Sequence, residues 1–151
     1  MLINYQELID KAMYSVIKGS LEHIAKYHDQ LIGSDSFLIS FIPDYPGVVL
    51  SDKLRDRYED EMIIVLQYQF DDLKAFDDKF EVTLYFDGIP EAISVPYSSI
   101  TSYVDKRANF ALNFHVDEPH QYYEKQEKIK SKGKKEKEGE SNVIFLDKFR
   151  K

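Results

Sequence analysis

Cysteine and tryptophan are absent from the 151 residues. Without cysteine there is neither a disulfide framework nor a thiolate metal site, and a reducing compartment is the natural setting. The six glycines are scattered singly. A phosphate-cradling loop, a dinucleotide fingerprint and a Gly-x-Ser-x-Gly elbow are therefore all missing. No segment approaches the roughly 20 consecutive apolar residues that a bilayer crossing needs. The opening MLINYQELIDKAMYS carries acidic residues and no unbroken apolar block, so it does not read as a signal peptide. These absences predict a cytoplasmic protein with no membrane partner.

Positive charge is also scarce over most of the chain. Residues 1–115 hold 10 Lys and Arg against 19 Asp and Glu, whereas residues 116–151 hold 10 against 8. An acidic body repels a phosphate backbone, so nucleic acid is not the expected partner, and the nearly balanced tail does not reverse that.

Candidates for chemistry are few. The four histidines are His23, His28, His115 and His120. Helical geometry sets His23 and His28 roughly 140° apart, unsuited to sharing a metal, and no His-Glu-x-x-His spacing occurs. The pairs Asp71-Asp72 and Asp77-Asp78 fall between two predicted strands and read as a solvated hairpin loop, since the alternating ligands and turn glycine of a calcium loop are missing. Nothing nearby argues for carboxylate acid–base catalysis. The expectation is a non-enzyme with no metal and no cofactor.

What is present is a 43% hydrophobic content, enough for one core. From Asn4 to about His28 the apolar residues follow helical spacing, with Asn4 placed to cap and Glu7 three residues on. The stripe is wide: Ile9, Met13 and Val16 lie beyond the face set by Leu8, Ala12 and Ile24. A second contact, such as a partner subunit, or a helix wholly tucked into its own domain would both account for it.

Strand signals follow Gly33: Phe37–Ile42 up to Pro43, Val48–Leu50 after the turn-like Asp44–Gly47, Met62–Gln67, and the strict alternation Phe80–Phe86. Asp87-Gly88 marks a turn from which Glu91–Val95 returns antiparallel. Ser98–Thr101 reads as a single turn before Ser102–Val104 and Phe110–Phe114. One long helix followed by many short strands predicts an α+β, mainly β fold, the helix packed on a small, bent, barrel-like antiparallel sheet.

Beyond His115 the composition shifts. Glu124–Glu140 is nearly all Lys, Glu, Gln, Ser and Gly, which cannot bury enough surface to offset chain entropy and reads as a flexible linker. Two dozen such residues would span about 25–30 Å as a random coil. Large apolar residues return at Asn142–Lys151, either to fold back on the body or to dock elsewhere. The predicted layout is a domain over 1–115, a linker over 116–141 and a docking peptide over 142–151.

One region suits peptide recognition. Val48 and Leu50 stand beside Leu66-Gln67-Tyr68-Gln69-Phe70, which mixes rings with amides, and Thr83 and Tyr85 face away from core-directed Val82 and Leu84. Amides could pair with an extended ligand's backbone while rings cover its side chains. Ordinary strand residues near a sheet edge would look the same from composition alone.

Several segments, in one order, resemble the stringent starvation protein B (SspB) family, particularly its α-proteobacterial branch. They are Tyr45-Pro-Gly-Val48, Leu50–Tyr58, Glu61–Phe70, Phe80–Pro90 and Ile93–Thr101. The resemblance covers about residues 5–115, and Leu146–Lys151 looks like that branch's protease-docking peptide. It implies an Sm-like domain whose N-terminal helix helps to build a homodimer, through Leu8, Ile9, Ala12, Met13 and Val16. It implies a groove for the ssrA peptide of stalled translation products, formed by the segments holding Val48, Leu50, Leu66 to Phe70, Thr83 and Tyr85. It also implies that Val143, Ile144, Phe145, Leu146, Phe149, Arg150 and Lys151 dock on the zinc-binding N-terminal domain of ClpX, delivering ssrA-tagged proteins to ClpXP. An Sm-like RNA-binding module is the alternative, opposed by the acidic body.

Overall fold

The computed structural model describes residues 1–33 and 35–116. The chain opens with helix α1, Tyr5–Lys26. Asn4 caps it, its side-chain oxygen accepting from the Glu7 N–H at 3.1 Å, which satisfies one of the donors a helix start leaves unpaired. The buried face runs through Ile17, Leu21 and Ile24, with Met13, Tyr14 and Ala25 packed beside them. That stripe differs from the one expected from spacing: Leu8 and Ala12 are exposed, and Met13 turns inward. Periodicity registers that a stripe exists, but which edge of a wide stripe is covered depends on what the helix meets.

Among the described residues seven strands follow, in two sheets. β1 (Phe37–Phe41), β2 (Met62–Leu66), β6 (Ile100–Asp105) and β7 (Phe110–Asn113) form one, in the order β2-β1-β6-β7. β3 (Phe70–Ala75), β4 (Lys79–Phe86) and β5 (Ile89–Pro96) form the other, in that order. Every strand pairing is antiparallel. Ile39, Phe41, Met62 and Leu66 of the first sheet share one core with Phe70, Phe80, Val82 and Val95 of the second. Helix α1 packs on β3 and on the single turn Tyr97–Ser99. Tyr14 of the helix stacks between Tyr97 and Phe114, with ring centroids at 6.4 and 5.5 Å. One long helix with antiparallel sheets is the architecture the residue pattern predicted.

The β4–β5 hairpin turns where expected. Asp87 and Gly88 both take positive φ, 55° and 80°, which matches the twist of the strands they join. Elsewhere the expectations need correcting. Asp71-Asp72 is no loop: it lies inside β3, at a bulge between Asp71 and Lys74. Buried Phe70 and Leu73 hold this segment in the sheet despite its carboxylates. Val48–Leu50 makes a lone bridge between Val49 and Ser94 instead of a strand. Helix α2, Asp52–Arg57, was not anticipated from spacing; Ser51 caps it, accepting from the Leu54 N–H at 3.2 Å. Six residues are too few for helical periodicity to register.

Candidate functional site

The strands of the second sheet bury one face and open the other. On β4, Phe80, Val82 and Leu84 enter the core, while Lys79, Glu81, Thr83 and Tyr85 are only half covered. Register sets Ser94 opposite Glu81 and Ala92 opposite Thr83 on β5, and Lys74 and Asp71 opposite Glu81 and Thr83 on β3. The outer face holds a groove of about 560 Å³, lined by Lys74, Lys79, Glu81, Thr83, Ala92 and Ser94 with Val49 at its wall.

That wall depends on an arginine. The Arg55 guanidinium of α2 donates to the Pro43 carbonyl at 2.9 Å and to the Val48 carbonyl at 3.1 Å, closing the turn between them. Gly47 lies within that turn at φ 97°, and a Cβ there would sit 2.9 Å from Pro96 Cγ. The turn delivers Val49 to β5, where its N–H donates to the Ser94 carbonyl at 2.9 Å and the reciprocal bond measures 3.1 Å. Val48 and Leu50 consequently point inward and are buried, while Val49 is 58% exposed.

At the Tyr85 end of β4 stands the β2–β3 connection, Gln67 to Gln69. Tyr68 is held at φ 61°, a left-handed conformation unfavourable for a bulky residue. Its ring is 74% exposed. The Gln67 amide donates to the Gly33 carbonyl at 3.1 Å, and the Tyr68 hydroxyl reaches the same oxygen at 3.5 Å, tying the tip to the loop after α1. Beneath, the His28 ring stacks on Phe70 with centroids 3.9 Å apart. The Tyr85 hydroxyl donates to the Asp71 carboxylate. That bond, followed by desolvation, holds the Tyr85 phenol above its ordinary pKa.

The residues singled out for peptide contact therefore divide in two. Val48, Leu50, Leu66 and Phe70 are core side chains. Tyr68 and Gln69 are exposed, and Gln67, Thr83 and Tyr85 are half-buried on the outer surface. Val49, Lys74, Glu81 and Ser94 were missed. Strand alternation puts Glu81 with Thr83 and Tyr85, so that one was within reach; the others need the pairing of β3, β5 and the Val49 bridge.

On α1, Leu8 and Val16 are 53% and 43% exposed, Ala12 is exposed, and Ile9 and Met13 are half-buried. Val143, Ile144, Phe145, Leu146, Phe149, Arg150 and Lys151, and the segment 117–141 before them, lie outside the described residues. Among the described residues no three His, Asp or Glu side chains are grouped as metal ligands. No helix among them is long and apolar enough to cross a membrane.

This arrangement defines a small α+β protein with an open sheet face that mixes polar and apolar lining residues. The family model described as stringent starvation protein B matches residues 7–143, and the chain belongs to the SspB family. That is a family of adaptors and not of enzymes. No curated protein matches the chain.

Proposed function

We propose that this chain is a proteolysis adaptor that holds ssrA-type degradation tags on the outer face of the β3-β4-β5 sheet and brings them to the ClpXP protease. The observation that carries this reading is the SspB family match over residues 7–143. What supports it is that Tyr68 and Gln69 are exposed, Thr83 and Tyr85 are half-buried, and the strand that follows Gln69 pairs with β4 at Phe70 and Leu84. An extended peptide there would find backbone partners in the amides and cover from the rings. Val48, Leu50, Leu66 and Phe70 would act as the floor beneath, fixing the contact residues without touching the ligand.

We assign residues 142–151 as the peptide that docks on the ClpX N-terminal domain, and 116–141 as the connection. Holding tag and unfoldase on one molecule makes delivery effectively intramolecular, raising local substrate concentration without new contacts at the pore. The exposed Leu8, Ala12 and Val16 on α1 suit packing against a second copy, which would present two docking peptides per assembly. The test is a matched pair of measurements on the full chain and on a chain lacking Asn142–Lys151. Tag-peptide binding is expected to be equal in both, and stimulation of ClpXP degradation to be lost in the shorter one. Full stimulation by the shortened chain refutes the tether.

A further inference from the structure

The groove beside Val49 contains an unusual charge for this molecule. Among the described residues the body is strongly acidic, so an unpaired carboxylate is commonplace and an unpaired cation is not. Lys11, Lys18, Arg55, Arg57, Lys79 and Arg107 each pair with a carboxylate. Lys26 lies over the Tyr27 ring. Lys53, Lys74 and Lys106 have no such side-chain partner among the described residues, and of these three Lys74 lines the groove.

Its setting mixes polar groups with apolar ones, Val49 and Ala92 among them. Glu81, the cross-strand neighbour of Lys74, is engaged by Lys79 at 3.5 Å, which leaves Lys74 without an ion pair of its own. Asp72 stands at the rim, in the bulge, where no register partner faces it. Across β4, Ser94 is buried on the groove's far side, and its Oγ lacks a hydrogen-bond partner among the described residues. Buried hydroxyls are normally paired, and an ammonium without a carboxylate partner is free to attract an anionic group.

We infer that Lys74 is a specificity-determining residue of this groove, taking an acidic side chain, Asp or Glu, from an extended peptide laid across β4. The inference rests on the tag-binding reading and deepens it: the rings and amides near Tyr68 grip any extended chain, whereas Lys74 selects for a carboxylate at one position. Charge-assisted hydrogen bonds have this effect, and a charge at the margin of an interface makes affinity salt-dependent.

Anisotropy titrations of the full chain with a fluorescent ssrA-type tag peptide test it, alongside copies of that peptide in which each Asp or Glu is changed singly to Asn or Gln. One of the neutralised copies is expected to bind the wild-type chain about five- to tenfold more weakly. Lys74→Glu should weaken the parent peptide at least as much yet weaken that copy little further, the non-additivity of groups in contact. Lys74→Arg should restore binding, and Lys53→Glu, away from the groove, should leave it unchanged. Thermal melts of each variant establish that the exposed substitutions leave the fold intact. Equal losses from Lys53→Glu and Lys74→Glu, or no sensitive acidic position in the peptide, overturn the inference and leave tag binding standing. A wild-type chain that binds no copy overturns tag binding itself, and this inference with it.

Discussion

Gly47 and Gly88 both have positive φ, yet their surroundings differ. At Gly47 a Cβ would press on Pro96 as well as adopt a disfavoured φ; at Gly88 there is nothing within 4 Å. Gly47→Ala is therefore expected to lower unfolding free energy by about 1–3 kcal/mol, and Gly88→Ala by about 1 kcal/mol at most. Urea denaturation compares the two, and the larger loss belongs at Gly47. Because that turn carries Val49 to β5, the Gly47 variant should also weaken tag-peptide binding, while Gly88→Ala should not. Ser94 gives a contrasting expectation. Removing a buried hydroxyl that has no partner relieves a desolvation cost, so Ser94→Ala should keep or raise stability in the same denaturation series.

At the scale of elements, α1 is held to the sheets on one side and open on the other. Ile17 is fully buried, and Ile17→Ala is expected to cost about 2–5 kcal/mol. Val16, next in sequence, is exposed, and Val16→Asp should leave the monomer's melting temperature nearly unchanged while shifting an assembled form toward monomer in light scattering. A monomeric wild-type chain would contradict the role proposed for this face.

The helix is also tied to the β3–β4 turn by Lys18 and Asp77 at 2.7 Å. The hydrogen bond and charge of Lys18 hold Asp77 below its ordinary value, and Asp77 raises Lys18. Asp35 is held low as well, first by the Ile32 N–H at 2.9 Å and then by Arg107. A depressed carboxylate stabilises the fold above its unfolded pKa, and that stabilisation is lost as pH falls through the folded value. A raised lysine stabilises below its unfolded pKa and ceases to do so as pH rises through the folded value. Stability should thus fall below about pH 4 and again above about pH 10.5. Asp35→Asn should flatten the acid limb of a melting-temperature profile, with the alkaline limb unchanged.

For the whole molecule, the proposed function requires residues 142–151 and the folded body to act together. Cutting after Ser141 should remove ClpXP stimulation while leaving the melting transition of the body where it was. A fall in melting temperature on truncation would instead mean that the terminal apolar residues pack on their own domain, the alternative their composition left open.

Much of this architecture is written locally. Asn4 before a 3.6-residue apolar period, alternation from Phe80 to Phe86 and the Asp87-Gly88 turn are each set by neighbours in sequence, because capping, pleat and turn geometry act over a few residues. The stretch from Asp71 to Ala75 misled because carboxylates in an edge strand look like a loop until Phe70 and Leu73 find a core. Local order put Val48 and Leu50 at the site, and a single bridge to Ser94 turned both inward and left Val49 in their place. Lys74, Glu81 and Ser94 come from three strands and share a groove only through long-range pairing. That pairing depends on cross-strand hydrogen bonds and core packing between segments distant in sequence, which is why the family and most of the strands could be read along the chain, whereas the grouping of Val49, Lys74, Glu81 and Ser94 in one groove was decided only by the tertiary structure.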